Sequence, residues 1–78
     1  MEPELTYGEK AVGITFNPGL YPEVDEMKTA IAAVIDLCNK AKPEYNGMPN
    51  EKSRMLAIAI TELQAASMWA VKALTWTE

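Results

Sequence analysis

The chain has 78 residues, 49% of them apolar, with 7 basic against 11 acidic side chains, a formal charge of -4, no histidine and a single cysteine, Cys38. These numbers exclude a multi-domain protein, a solvated disordered segment, an internal disulfide, an ordinary zinc site, a Cys-His nucleophile pair and a histidine-based triad. The acidic balance argues against polymeric nucleic acid, whose affinity grows with the number of phosphates neutralised, whereas a small anion needs few cations.

Met1-Glu2-Pro3-Glu4 is acidic and lacks a following apolar stretch, so no signal peptide is expected. Residues 1–21 carry Pro3, Gly8, Gly13, Pro18 and Gly19, which break any long helical pattern. Ala11-Val12-Gly13-Ile14-Thr15-Phe16 reads as a short extended piece, and 1–21 is expected to form an N-terminal arm. Asn17-Pro18-Gly19 marks a turn: proline presets one dihedral, and glycine supplies the positive one a tight turn uses. Phe16 beside Asn17 places an aromatic ring next to an amide on a loop, a combination that stacks on and reads a base.

The first long helix is predicted over 22–42. Pro22 suits its first position, Glu23, Asp25 and Glu26 complement the positive end of the dipole, and Lys40 and Lys42 the negative end. Val24, Met27, Ile31, Val34 and Cys38 recur in steps of three and four, the spacing of a seam against a partner helix. Cys38 is therefore expected to be a buried core thiol, and a free thiol agrees with a reducing, cytosolic compartment. Pro43 stops the helix, and 43–50, with two prolines and Asn46-Gly47, reads as a loop joining antiparallel helices.

Asn50 is a candidate N-cap for a second helix over 51–76, a stretch with neither glycine nor proline. Leu56, Ile60, Leu63, Ser67, Ala70 and Leu74 form one stripe; Met55, Ile58, Ala65, Met68, Trp69, Ala73 and Trp76 form another on a different side. One hairpin partner cannot bury both, which predicts a further helix from another subunit. No apolar run approaches the roughly 20 residues that span a bilayer. Lys10, Lys28, Arg54 and Lys72 are cations outside the capping pair and, taken singly, read as solvated surface charges. The acidic side chains are scattered, so carboxylate-only catalysis is not expected.

Taken together, Lys10 through Pro18 and Ile58 through Trp76 resemble a group of small phage proteins, the hairpin-domain family shared by the anti-CBASS sponges and the Thoeris anti-defence sponges. The signature is an alanine-rich helix with Gln64, Met68, Lys72 and Trp76 in register. The resemblance implies an all-α fold: an antiparallel helical hairpin with a short N-terminal extended arm, oligomerising, typically as a hexamer, into a helical bundle assembly. It implies a cytoplasmic protein of the infected bacterial host that sequesters cyclic di- and trinucleotide second messengers, or ADP-ribose-type signals, without degrading them. No cofactor, metal, membrane or polymeric nucleic acid is implied. The absence of the larger N-terminal domain of some Thoeris sponges argues against ADP-ribose isomers as the main ligand.

By the same resemblance Phe16 matches an aromatic that stacks on a base and Lys28 a lysine that holds phosphate in a cyclic-dinucleotide pocket. The family often has tyrosine at the first position, and phenylalanine keeps the stacking surface without the hydroxyl. Arg54 and Thr61 match residues of a separate cyclic-trinucleotide pocket on a three-fold axis, and Asn17 and Lys72 complete the expected ligand-binding set. The competing reading is a structural or protein-binding helical hairpin whose stripes dock onto a larger partner.

Overall fold

The computed structural model describes residues 4–42 and 50–77. Among them it is all-helical: α1 (Tyr7–Val12), α2 (Pro22–Ala41) and α3 (Glu51–Leu74). The expected loop at 43–49, with Pro43, lies outside the described residues. The start of α2 lies beside the end of α3, where Val24 and Val71 line the same cleft, while Ile35 and Ile60 share the core further along. That pairing makes α2 and α3 an antiparallel hairpin.

Local chemistry explains each end. Pro22 opens α2, and the Asn50 side chain caps α3 by accepting from the Ser53 N–H at 2.8 Å. At the amino terminus the expected extended piece is instead the end of a short helix and a turn. Thr6 and Glu9 form a capping box, the Glu9 N–H donating to Thr6 Oγ1 at 3.1 Å and the Thr6 N–H to Glu9 Oε1 at 2.8 Å. Gly13, at φ 64°, closes α1 in the left-handed conformation, so 11–16 is a helix end and a turn.

Nor do the described residues of 1–21 stand off as an arm: α1 packs along α2. Gly8 permits this, because a Cβ there would sit 2.1 Å from the Ala32 carbonyl oxygen. The Asp36 carboxylate accepts from the Gly8 N–H at 2.7 Å, tying the positive end of α1 to α2. This docking changes which face of α2 is buried. The expected seam ran through Met27 and Val34; the buried residues are Val24, Lys28, Ala32 and Ile35, and Val34 is exposed. With α1 covering the Ala32 side and α3 the other, the contact face turns toward Ala32 and away from Val34.

The core comprises Val12, Ala32, Ile35 and Ile60, with Ala11, Ile14, Ile31, Cys38 and Leu63 packed against it. Cys38 is half-buried at the core margin. On α3 the first stripe faces α2, with Ile60 and Ser67 buried. At 3.6 residues per turn the second stripe lies on the opposite side, and Met55, Ile58, Met68, Trp69 and Trp76 are all exposed. The fold is a slab 14 Å thick, little more than one helix diameter, so nothing among the described residues covers that face. No described helix is long and apolar enough to cross a membrane.

Candidate functional site

Where the turn after α1 meets the last turns of α3, the surface is indented. A cavity of about 320 Å³ is lined by Val12, Lys28, Ser67, Met68, Val71 and Lys72. It shares Val71 with a second cavity of about 250 Å³ bounded by Phe16, Asn17, Pro18, Tyr21 and Thr75. Together they form a groove; both are mainly apolar, and the first has Lys28 and Lys72 in its wall. Two cation–aromatic pairs flank the groove: Lys28 Nζ lies 5.6 Å from the Phe16 ring centroid, and Lys72 Nζ lies 5.4 Å from that of Trp69. The rings are open to solvent, Phe16 at 72% and Trp69 at 70% exposure.

The turn that carries Phe16 is built by contacts from α2. Its Phe16 N–H donates to the Gly13 carbonyl at 2.9 Å, and that same oxygen accepts from Lys28 Nζ at 2.9 Å. Lys28 also donates to the Phe16 carbonyl. Only 5% exposed, Lys28 lies beneath the turn, with two of its three N–H groups directed at backbone oxygens. The expected phosphate ligand is thus one wall of the groove and the brace of its aromatic loop.

Asn17 has a structural assignment that differs from base reading. Its Nδ2 donates to the Tyr21 carbonyl at 2.8 Å and to Asp25 Oδ1 at 3.1 Å, while its Oδ1 accepts from the Tyr21 N–H at 3.2 Å. Both ends of the amide are engaged in joining the turn to α2. The positive φ expected at Gly19 falls on Leu20, at 55°. Gly19 serves another purpose, since a Cβ there would lie 2.3 Å from the Tyr21 ring.

Phe16, Asn17, Lys28 and Lys72 are brought together; Arg54 and Thr61 are not among them. Arg54 precedes Lys72 by eighteen residues of α3, about 27 Å at 1.5 Å per residue. Its guanidinium makes a two-pronged contact with Glu51, Nε–Oε1 2.9 Å and Nη2–Oε2 2.6 Å, on the solvent-exposed first turn. The guanidinium lowers the Glu51 pKa, and the carboxylate raises that of Arg54. Thr61 Oγ1 donates back to the Ala57 carbonyl at 3.2 Å. Arg54, Thr61, Met68 and Lys72, spaced seven, seven and four apart, share one side of α3 beside its exposed apolar face.

Sequence reasoning missed Tyr21, Val71 and Thr75 as lining residues. A signal was present: Ser67, Val71 and Thr75 are short side chains four apart on one side of α3, between the large Met68 and the long Lys72. The groove lining supplies two ammonium groups, aromatic faces and hydroxyls, a set suited to holding a flat ring beside an anion.

A family model described as Acb2/Tad1, hairpin domain, matches residues 9–75. No curated protein and no solved structure matches the chain.

Proposed function

Because the chain belongs to the Acb2/Tad1 hairpin-domain family, that of the anti-CBASS and Thoeris sponge proteins, we propose that it is an anti-defence sponge that sequesters cyclic oligonucleotide second messengers intact. Family membership fits an anti-defence role. The observation that carries the ligand class is the groove itself: an exposed aromatic face at Phe16 adjoins a cavity with Lys28 and Lys72 in its wall. A nucleotide presents the complementary pair, a base to stack and a phosphate to meet an ammonium. Lys72, exposed on α3, is the cation with access to phosphate, and Phe16 is the stacking platform.

The proposed action is binding without turnover, in the cytoplasm of the infected bacterium. Purified protein should be saturated with cyclic GMP–AMP, denatured, and the released ligand identified by mass spectrometry. Chemically unchanged nucleotide in stoichiometric amount is the expected outcome. Linearised product accumulating in proportion to protein would overturn sequestration in favour of hydrolysis, and the absence of any bound nucleotide would favour a protein-docking hairpin.

The proposed assembly is a homo-oligomer, a hexamer by family resemblance. Support comes from Met55, Ile58, Trp69 and Trp76, four large apolar side chains exposed along one side of α3 on a slab too thin to cover them. Light scattering at micromolar concentration should give a multiple of the chain mass, and Ile58→Glu, which puts a charge in that face away from the groove, should lower it. A single-chain mass for the unaltered protein would refute the assembly.

A further inference from the structure

We infer that Ser67 is a further binding residue of the groove, its hydroxyl donating to a phosphate oxygen of the bound nucleotide. The inference rests on the reading of the groove as a nucleotide site. Ser67 interrupts the stripe of α3 that faces α2, where Leu56, Ile60, Leu63, Ala70 and Leu74 are apolar, although alanine, the better helix former, is abundant in the same helix. A hydroxyl on such a face costs free energy unless it is bonded.

A serine or threonine on a helix often bonds the carbonyl four residues earlier. Thr61 Oγ1 does so to Ala57 at 3.2 Å, and Thr75 Oγ1 to Val71 at 2.9 Å. Among the described residues the Ser67 hydroxyl makes no such bond and no other. Ser67 is only 4% exposed, yet it lies in the wall of the 320 Å³ cavity, so its hydroxyl is left for what enters there.

The neighbours in that wall select the ligand group. Lys72 is exposed beside the cavity, and Lys28 gives two of its three N–H groups to backbone oxygens, with the third remaining. No carboxylate is among the lining residues, so the cavity draws an anion. A phosphate oxygen accepts several bonds at once, and at Ser67 it replaces water by a charge-assisted contact.

Isothermal titration with cyclic GMP–AMP compares the unaltered protein with Ser67→Ala. Affinity should fall about ten- to a hundredfold, the range for one hydrogen bond to a charged group. The melting temperature without nucleotide should be unchanged or raised, because no bond within the protein is lost and alanine favours the helix. Equal affinity would overturn the inference and leave Ser67 as a small residue that only lets the helices approach. A lowered melting temperature would also overturn it, by revealing a partner for the hydroxyl within the fold.

The 2′-deoxy form of the same ligand separates phosphate from ribose. The loss should persist with it, and a loss confined to the ribonucleotide would overturn the phosphate assignment in favour of a ribose hydroxyl. Should the unaltered protein bind no cyclic GMP–AMP, the proposed function fails and the role of Ser67 with it, whereas tight binding by both proteins removes Ser67 alone.

Discussion

Replacing Gly8 by alanine should unseat α1 and lower the melting temperature by about 10 °C or more. In an isolated helix the change would be favourable by about 1 kcal/mol, because alanine is the better helix former. Here the added Cβ would lie 2.1 Å from the Ala32 carbonyl oxygen, 2.9 Å from its carbon and 2.9 Å from Asp36 Oδ1. The first two are backbone atoms in the middle of α2 and cannot rotate away, so α1 must move. Overpacking of this kind costs about 1–3 kcal/mol. Moving α1 also breaks the 2.7 Å bond from the Gly8 N–H to the Asp36 carboxylate, and a bond to a charged acceptor is worth about 1.5–3 kcal/mol. The clash and the lost bond together exceed the propensity gain.

Because α1 leads directly into the turn that presents Phe16, nucleotide binding should fall as well. Gly13→Ala is the matched comparison: no atom lies within 4 Å of a Cβ there, so only the left-handed φ of 64° is penalised, by about 1–2 kcal/mol. Melting followed by circular dichroism at one fixed protein concentration checks both. A Gly8→Ala protein as stable as the parent would show that α1 does not depend on this close approach.

Arg54→Ala should nearly abolish binding of a cyclic trinucleotide while leaving a cyclic dinucleotide close to its original affinity. The separation is geometric, since Arg54 stands about 27 Å along α3 from Lys72 and shares no lining with the groove. If three copies converge on one ring of three phosphates, as the family resemblance implies, one substitution removes three charge-assisted contacts at once. At about 1.5–3 kcal/mol each, their loss exceeds three decades in affinity.

Before binding, each Arg54 is held by Glu51, whose carboxyl is depressed by the pairing. The pairing is therefore intact above the carboxylate range and is lost as the pH falls through the lowered Glu51 value, which frees the guanidinium. Glu51→Gln should accordingly strengthen trinucleotide binding at neutral pH, opposite in sign to Arg54→Ala. Isothermal titration of both variants with one ligand of each ring size separates the outcomes, and equal weakening of both ligands by Arg54→Ala would contradict two separate pockets.

Much of this was legible in the sequence, and the remainder had a physical reason to be hidden. Pro22 and the Asn50 cap announce helix starts because they act on N–H groups within one turn. The two stripes of α3 were readable because a helix this long repeats its pattern across many turns. For α1 the signals conflicted. Thr6 and Glu9 have the spacing of a capping box, yet Gly8 and Gly13 argued for an open arm, and a helix of six residues has too few turns to declare a period. Among the candidate ligand residues, Phe16 lies exposed on the groove, whereas the Asn17 amide is engaged by Tyr21 and Asp25. Nothing in its type distinguishes an asparagine that reads a base from one that ties a turn.

The sequence by itself determined the two long helices, the apolar face that one hairpin cannot cover, and a charge and residue inventory with no histidine and one cysteine. These follow from composition and from interactions spanning four residues or fewer. The tertiary structure decided that α1 is a helix, that α2 turns Ala32 inward and Val34 out, and that Lys28 lies buried under the turn 13–16. Each of these depends on contacts between residues far apart in the chain: Gly8 with Ala32 and Asp36, and Lys28 with Gly13 and Phe16. Lys28, four residues from Val24, shares its side of α2, yet a lysine by its type reads as a surface charge, and only the arrival of two backbone carbonyls from another segment makes its burial favourable.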